Sequence, residues 1–131
     1  MPFALALTVI LALLAVFQTA LAAGAPWGRF AWGGQHRVLP RNLRIGSAVS
    51  IVIYALIAFI AWERAGITSL LPDAVAQVVM WIVFAYFAIG IVMNAISRSK
   101  PERYTMTPVV LVLAVLSLLI AMGFGEYAMA I

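Results

Sequence analysis

The sequence predicts an all-α fold: an antiparallel four-helix transmembrane bundle with a long cytoplasmic loop between helices 1 and 2. Three observations carry this. Of the 131 residues 66% are hydrophobic and only 9% are charged, whereas a soluble domain carries roughly 25% charged residues and needs them for a hydrated surface. Four apolar runs approach the roughly 20 residues that cross a hydrocarbon core about 30 Å thick. The basic residues are confined between those runs, on alternate sides.

The first span, about 3–22, is apolar throughout and carries no charge. Gln18 and Thr19 lie one turn from its end, and their polar groups need partners inside a bilayer. A cleaved signal peptide is the rival reading, since Ala20, Ala22 and Ala23 are small residues suited to a cleavage site. No Lys or Arg precedes the apolar run, which a signal peptide requires.

The segment from Gly24 to Arg44 is the only long stretch that is not apolar. It holds the single histidine, two of four tryptophans, four of eight basic residues and four of nine glycines. Pro26, Gly28, Gly33, Gly34 and Pro40 interrupt any continuous helix. Trp27, Phe30 and Trp32 favour headgroup depth, so the segment is expected to lie on the interface. A short amphipathic helix between Gly34 and Pro40 is compatible with the pattern.

The second span, about 45–62, carries Ser47, Ser50, Tyr54, Ala58 and Ala61 at spacings that put them on one face. Gly46 and Ser50 make a small-xxx-small pair of the kind that lets helices approach closely in lipid. Glu63 and Arg64 read as interfacial charges. The connection that follows is short, which implies antiparallel neighbours, and Asp73 is placed to cap the third span, about 74–97. Tyr86, Gly90, Asn94 and Ser97 form its polar and small stripe, with Arg98 one turn beyond Asn94. Residues 98–103 read as a compact basic loop, with Glu102 paired to Arg98 or Arg103. Thr107 and Pro108 then open the fourth span, about 107–124, as N-cap and first helical residue. Ala114, Ser117, Ala121 and Gly125 make its small stripe, with Glu126 and Tyr127 at the far end. The whole is a single transmembrane domain.

With four spans, loops one and three share a side. That side holds Arg29, Arg37, Arg41, Arg44, Arg98, Lys100 and Arg103, and the other holds only Arg64. The positive-inside rule therefore sends both loops to the cytoplasm and both termini outside. Signal cleavage would put the arginines of the first loop on the wrong side. The net charge of +4 is accounted for by orientation and anionic lipid headgroups, and nucleic acid is not an expected partner.

Topology also sorts the polar groups by depth. Gln18, Thr19, Ser47, Ser50, Asn94, Ser97 and Thr107 gather at the cytoplasmic end, beneath the basic residues, while the outer half holds little besides Gln77. The candidate ligand-binding residues are accordingly Trp27, Gln35, His36, Arg37, Arg41, Arg44, Asn94, Arg98 and Arg103. Guanidinium groups hold phosphate or carboxylate through paired hydrogen bonds, and tryptophan can cover an apolar tail. Two readings of this layer stand open: a site for an amphipathic anion, or a fastening of the loop to the bundle in which the arginines set topology alone.

Other chemistry finds less support. His36 lacks a second metal ligand, and the chain has no cysteine, so no metal, cofactor or catalytic residue is assigned. No Asp, Glu, Lys, Arg or His falls within a predicted span, whereas ion-coupled carriers usually place an ionisable group at mid-depth. No nucleophile elbow, zinc-protease helix or phosphate loop is present.

The runs GAPWG, GGQHRVLPRNLR and NAISRSKPER resemble a group of uncharacterised small bacterial four-span membrane proteins. The resemblance implies a bacterial inner membrane and a four-helix layout, and it carries over no site residue. The expected role is non-catalytic: binding a lipid or amphipathic anion, or a membrane partner, through the basic end. Self-association or membership of a larger membrane complex is compatible with the small-residue stripes. The alternative is a membrane enzyme or small carrier acting on a lipid-like substrate.

Overall fold

A computed structural model describes residues 3–124. Its long elements are α1 (Phe3–Ala22), α2 (Arg41–Ala65), α3 (Asp73–Ala95) and α4 (Lys100–Ala121), with two short 3-10 turns, Gly28–Phe30 and Trp32–Gly34, between α1 and α2. No strand occurs among the described residues. All four helices are long and apolar enough to cross a membrane, which fits a small multi-pass membrane protein. Val9, Leu13, Val16, Val52, Leu56, Val78, Ile82 and Val92 are exposed, as suits helices whose outer faces meet lipid rather than water.

The expected boundaries need correction. The second helix starts at Arg41, directly after Pro40, and runs on to Ala65. The third ends at Ala95, so Asn94 and Arg98 do not share a helix. The largest change is at α4. Residues 100–106 are not loop but its first two turns, with Ser99 as N-cap, Pro101 at the first turn and Pro108 in the helix interior. Proline lacks an amide hydrogen, which costs nothing in a first turn and removes a bond within a helix. No helix forms between Gly34 and Pro40. Gly125, Glu126 and Tyr127 lie outside the described residues.

The helices pack as two extensive pairs, α1 with α2 and α3 with α4, with less contact between the pairs. Along the first pair, Trp62 Nε1 donates to Thr8 Oγ1 at 2.8 Å, Gln18 Nε2 to Tyr54 Oη at 3.2 Å, and Arg44 Nε to the Ala22 carbonyl at 2.8 Å. Partner numbers rise on one helix as they fall on the other. The stripe read on α2 faces inward, with Ser47 and Ala61 fully buried. On α4, Ala114, Ser117 and Ala121 are buried as well.

Burial is divided along the bundle. The main core joins Leu7 and Leu11 to Ile57, Ala61, Met80, Val83, Leu113 and Ile120, and Leu113 reaches the wall of a cavity beneath the 23–40 segment. Under that segment only a small cluster forms, Leu21 with Ala31 and Leu39, against Phe17 and Leu43.

At the opposite end, Glu63 does not pair with Arg64. It is buried, and its carboxylate accepts from Thr68 Oγ1 at 2.8 Å and from the Leu70 amide at 2.7 Å. A side chain thereby supplies the acceptor that the 66–72 turn lacks. Arg64 instead donates to the Ala121 carbonyl at 3.1 Å, at the C-terminus of α4, where orphan carbonyls and the helix dipole favour a cation.

Candidate functional site

The 23–40 segment is held on the bundle by specific bonds. The Gly28 amide donates to the Arg37 carbonyl at 2.9 Å and closes the segment on itself. Ser99 Oγ donates to the Arg29 carbonyl, and the Gly33 amide donates to Glu102 Oε2 at 3.3 Å. These two bonds fix the segment to the start of α4. Trp32 turns back onto α2, its Nε1 donating to Ser47 Oγ at 3.1 Å. The indole lies against Gly46, where an added Cβ would come within 2.9 Å of the ring. The Gly46–Ser50 pair thus admits an indole rather than a neighbouring helix. Ser50 Oγ bonds back to the Gly46 carbonyl at 3.0 Å.

Beneath the segment lies a cavity of about 340 Å³, between the two helix pairs. Its polar lining is Gln18, Ser50, Tyr54, Tyr86, Asn94 and Glu102, and its aromatic lining includes Phe17, Phe30, Trp32 and Phe87. Gln18 and Asn94 both line this one cavity. Tyr86, Ile89 and Met93 are exposed, so the cavity reaches the lateral surface along α3. A second, apolar groove of about 470 Å³ runs between α1 and α4 and shares Leu14, Phe17 and Met106 with the cavity as a common wall.

One polar atom of the lining has no partner among the described residues, and Glu102 has a single one. Gln18 is 9% exposed, and its Oε1 is buried without a hydrogen-bond partner. Glu102 is 7% exposed, and the Gly33 amide is its one hydrogen-bond donor among the described residues. The expected pairing of Glu102 with Arg98 or Arg103 does not form. Arg103 donates to the Ser97 carbonyl at 3.4 Å and lies over the Tyr104 ring at 4.9 Å. A carboxylate removed from water costs several kcal/mol, by order of magnitude, unless it is paired.

Of the candidate ligand-binding residues read from the sequence, the cavity gathers only Asn94, whose amide donates to the Gly90 carbonyl at 2.8 Å. Gln35, His36, Arg37, Arg41 and Arg98 are exposed and do not line it. Arg44 is turned to the end of α1 by its bond to Ala22. Trp27 stacks on Phe17, ring centroids 6.4 Å apart and planes within 2°, outside the cavity lining. No group of three His, Asp or Glu side chains is placed to hold a metal ion among the described residues.

Sequence reasoning passed over Glu102 because residues 98–103 read as loop. A signal was present. Ser99 and Glu102 have the S-x-x-E spacing of a helix start, with Pro101 at a first-turn position. Continued from there, Glu102, Met106, Val110, Leu113 and Ser117 fall at helical intervals on one face, and all but Ser117 line the cavity.

Compared with known proteins, the chain matches no family model, no curated protein and no solved structure.

Proposed function

We propose that this is a small inner-membrane protein of antiparallel helices that holds an amphipathic small molecule at the end covered by the 23–40 segment, without catalysing a reaction on it. The observation that carries the reading is the cavity, with Gln18 Oε1 buried there without a partner and Glu102 held by one backbone amide alone. Buried polar groups are as a rule hydrogen-bonded, and each exception asks for a cause. A ligand's polar end in the cavity supplies one. The apolar groove behind Leu14, Phe17 and Met106 offers space for a hydrocarbon chain, and the lateral opening along α3 gives access from the bilayer rather than from water.

The arginine rim has its own part. The positive-inside rule sends the 23–40 segment to the cytoplasm and both termini outside. Exposed Arg37, Arg41 and Arg98 then lie at the depth of anionic headgroups, each such contact contributing on the order of 1 kcal/mol. The sense of pairing along α1 and α2 and the bonds of Arg29 and Gly33 to the start of α4 support loops one and three at one end.

Native mass spectrometry of the protein released from membranes tests the reading. Copurifying amphiphile is expected on the wild type, and Ser50→Phe, which fills the cavity, is expected to lose most of it while the rim arginines are untouched. Equal adducts on both proteins would place binding elsewhere.

A further inference from the structure

We propose that the cavity takes the ammonium group of an alkylammonium amphiphile, seated against Glu102, with its chain in the groove between α1 and α4. This rests on the reading of the cavity as an amphiphile site and adds the charge of the ligand. Four observations point the same way. Glu102 is 7% exposed, lines the cavity and receives one backbone amide. No Lys or Arg pairs with it among the described residues. A buried carboxylate with acceptor sites to spare is completed by a cation that donates hydrogen bonds, and an ammonium carries up to three such donors.

The second observation is Gln18, whose buried amide is only half satisfied by Tyr54. Amide orientation is set by its partners, and turned either way one polar atom stays unpaired. As placed, that atom is Oε1, an acceptor, which matches a donor ligand. Third, aromatic rings surround the polar pair. Phe17, Phe30, Trp32, Tyr54, Tyr86 and Phe87 all line the cavity, and ring faces attract a desolvated cation. Fourth, the groove sharing the wall of Leu14, Phe17 and Met106 has almost no polar surface and so suits an alkyl chain. The seven basic side chains of this end are not a barrier. Those on the rim are exposed, hence screened within about 10 Å in ordinary salt, and the ligand enters from the lipid side.

The ammonium has two possible sources, a phosphoethanolamine lipid headgroup or a simple long-chain amine. In the former the neighbouring phosphate would meet the arginine rim.

The test uses the full chain in a neutral maltoside detergent and native mass spectrometry, titrating dodecylammonium, lysophosphatidylethanolamine and, as anionic control, lysophosphatidylglycerol. Wild type is expected to bind one or both ammonium compounds. Glu102→Gln keeps an oxygen for the Gly33 amide and removes the charge, so it is expected to weaken ammonium binding about tenfold or more, with a melting temperature no lower than that of the wild type. Gln18→Leu, which leaves the 23–40 segment's bonds intact, is expected to weaken it severalfold and serves if Glu102→Gln misfolds. Binding of dodecylammonium identifies a simple amine as sufficient. Binding of the lysolipid alone assigns the headgroup as source, and both results support the proposal. Preference for the anionic control, or ammonium binding indifferent to both substitutions, overturns it while leaving the cavity an amphiphile site. If Ser50→Phe leaves every adduct unchanged, the cavity reading itself falls, and this inference with it.

Discussion

Glu63 and Glu102 are both buried acids near helix ends, yet their surroundings differ. Glu63 accepts from a hydroxyl and from a backbone amide at 2.8 Å and 2.7 Å, so the turn after α2 completes it. Glu63→Ala is expected to destabilise the protein by about 1–3 kcal/mol, because the Leu70 amide loses its acceptor. Glu63→Gln, which keeps an oxygen, is expected to cost clearly less. Unfolding by graded addition of denaturing detergent measures both, and equal losses would refute the acceptor role. Trp32 is a residue of another kind. It sits at φ 52°, the left-handed region, where a non-glycine residue is uncommon. Its indole bond to Ser47 and its seat on Gly46 hold it there. Gly46→Val puts a branched side chain where a rigid ring lies. The expected results are a red shift of tryptophan emission and a stability loss of about 1–3 kcal/mol. An unmoved spectrum would mean that the ring is not docked.

Among the elements, α4 has two prolines that illustrate one rule with opposite consequences. Pro101 stands in the first turn, where its missing amide hydrogen has no helical partner to lose. Pro108 stands inside, where the bond to the preceding turn is absent. Pro101→Ala is therefore expected to change stability within about 0.5 kcal/mol, and Pro108→Ala to add up to about 3 kcal/mol. The same unfolding experiment compares them, and a gain at Pro101 rather than Pro108 would contradict the helix start at Lys100. That start was missed in sequence because Lys100, Glu102 and Arg103 look like loop chemistry. Composition favoured a loop, while the S-x-x-E spacing and Pro101 favoured a helix, and tertiary contacts to Arg29 and Gly33 supply what the polar first turns needed. The first helix, by contrast, was legible end to end, because an uninterrupted apolar run leaves no competing pattern.

For the whole molecule, the governing feature is the division between a filled apolar half and a half with a cavity. The two helix pairs close on each other around Leu7, Met80 and Ile120, and leave a cavity lined by Gln18, Ser50, Asn94 and Glu102 under the 23–40 segment. The chain has no cysteine, so single-cysteine labelling reads its topology directly. With an impermeant maleimide, Arg37→Cys is expected to react only from the cytoplasmic side and Leu70→Cys, 78% exposed, only from the outside. Reversed labelling would overturn the orientation without touching the fold.

Sequence alone determined the four helices, among the described residues, that are long and apolar enough to cross a membrane. Transfer into lipid is decided residue by residue, so composition and the order of charges suffice. Tertiary structure decided which polar groups form a site. Arg37, Arg41 and Arg98 stayed exposed, and Glu102 went inside with Gln18. That choice depends on residues far apart in the chain, Gly33 with Glu102 and Arg29 with Ser99. No local period records such a pairing, because it follows from how two helix pairs and one loop fill a shared volume.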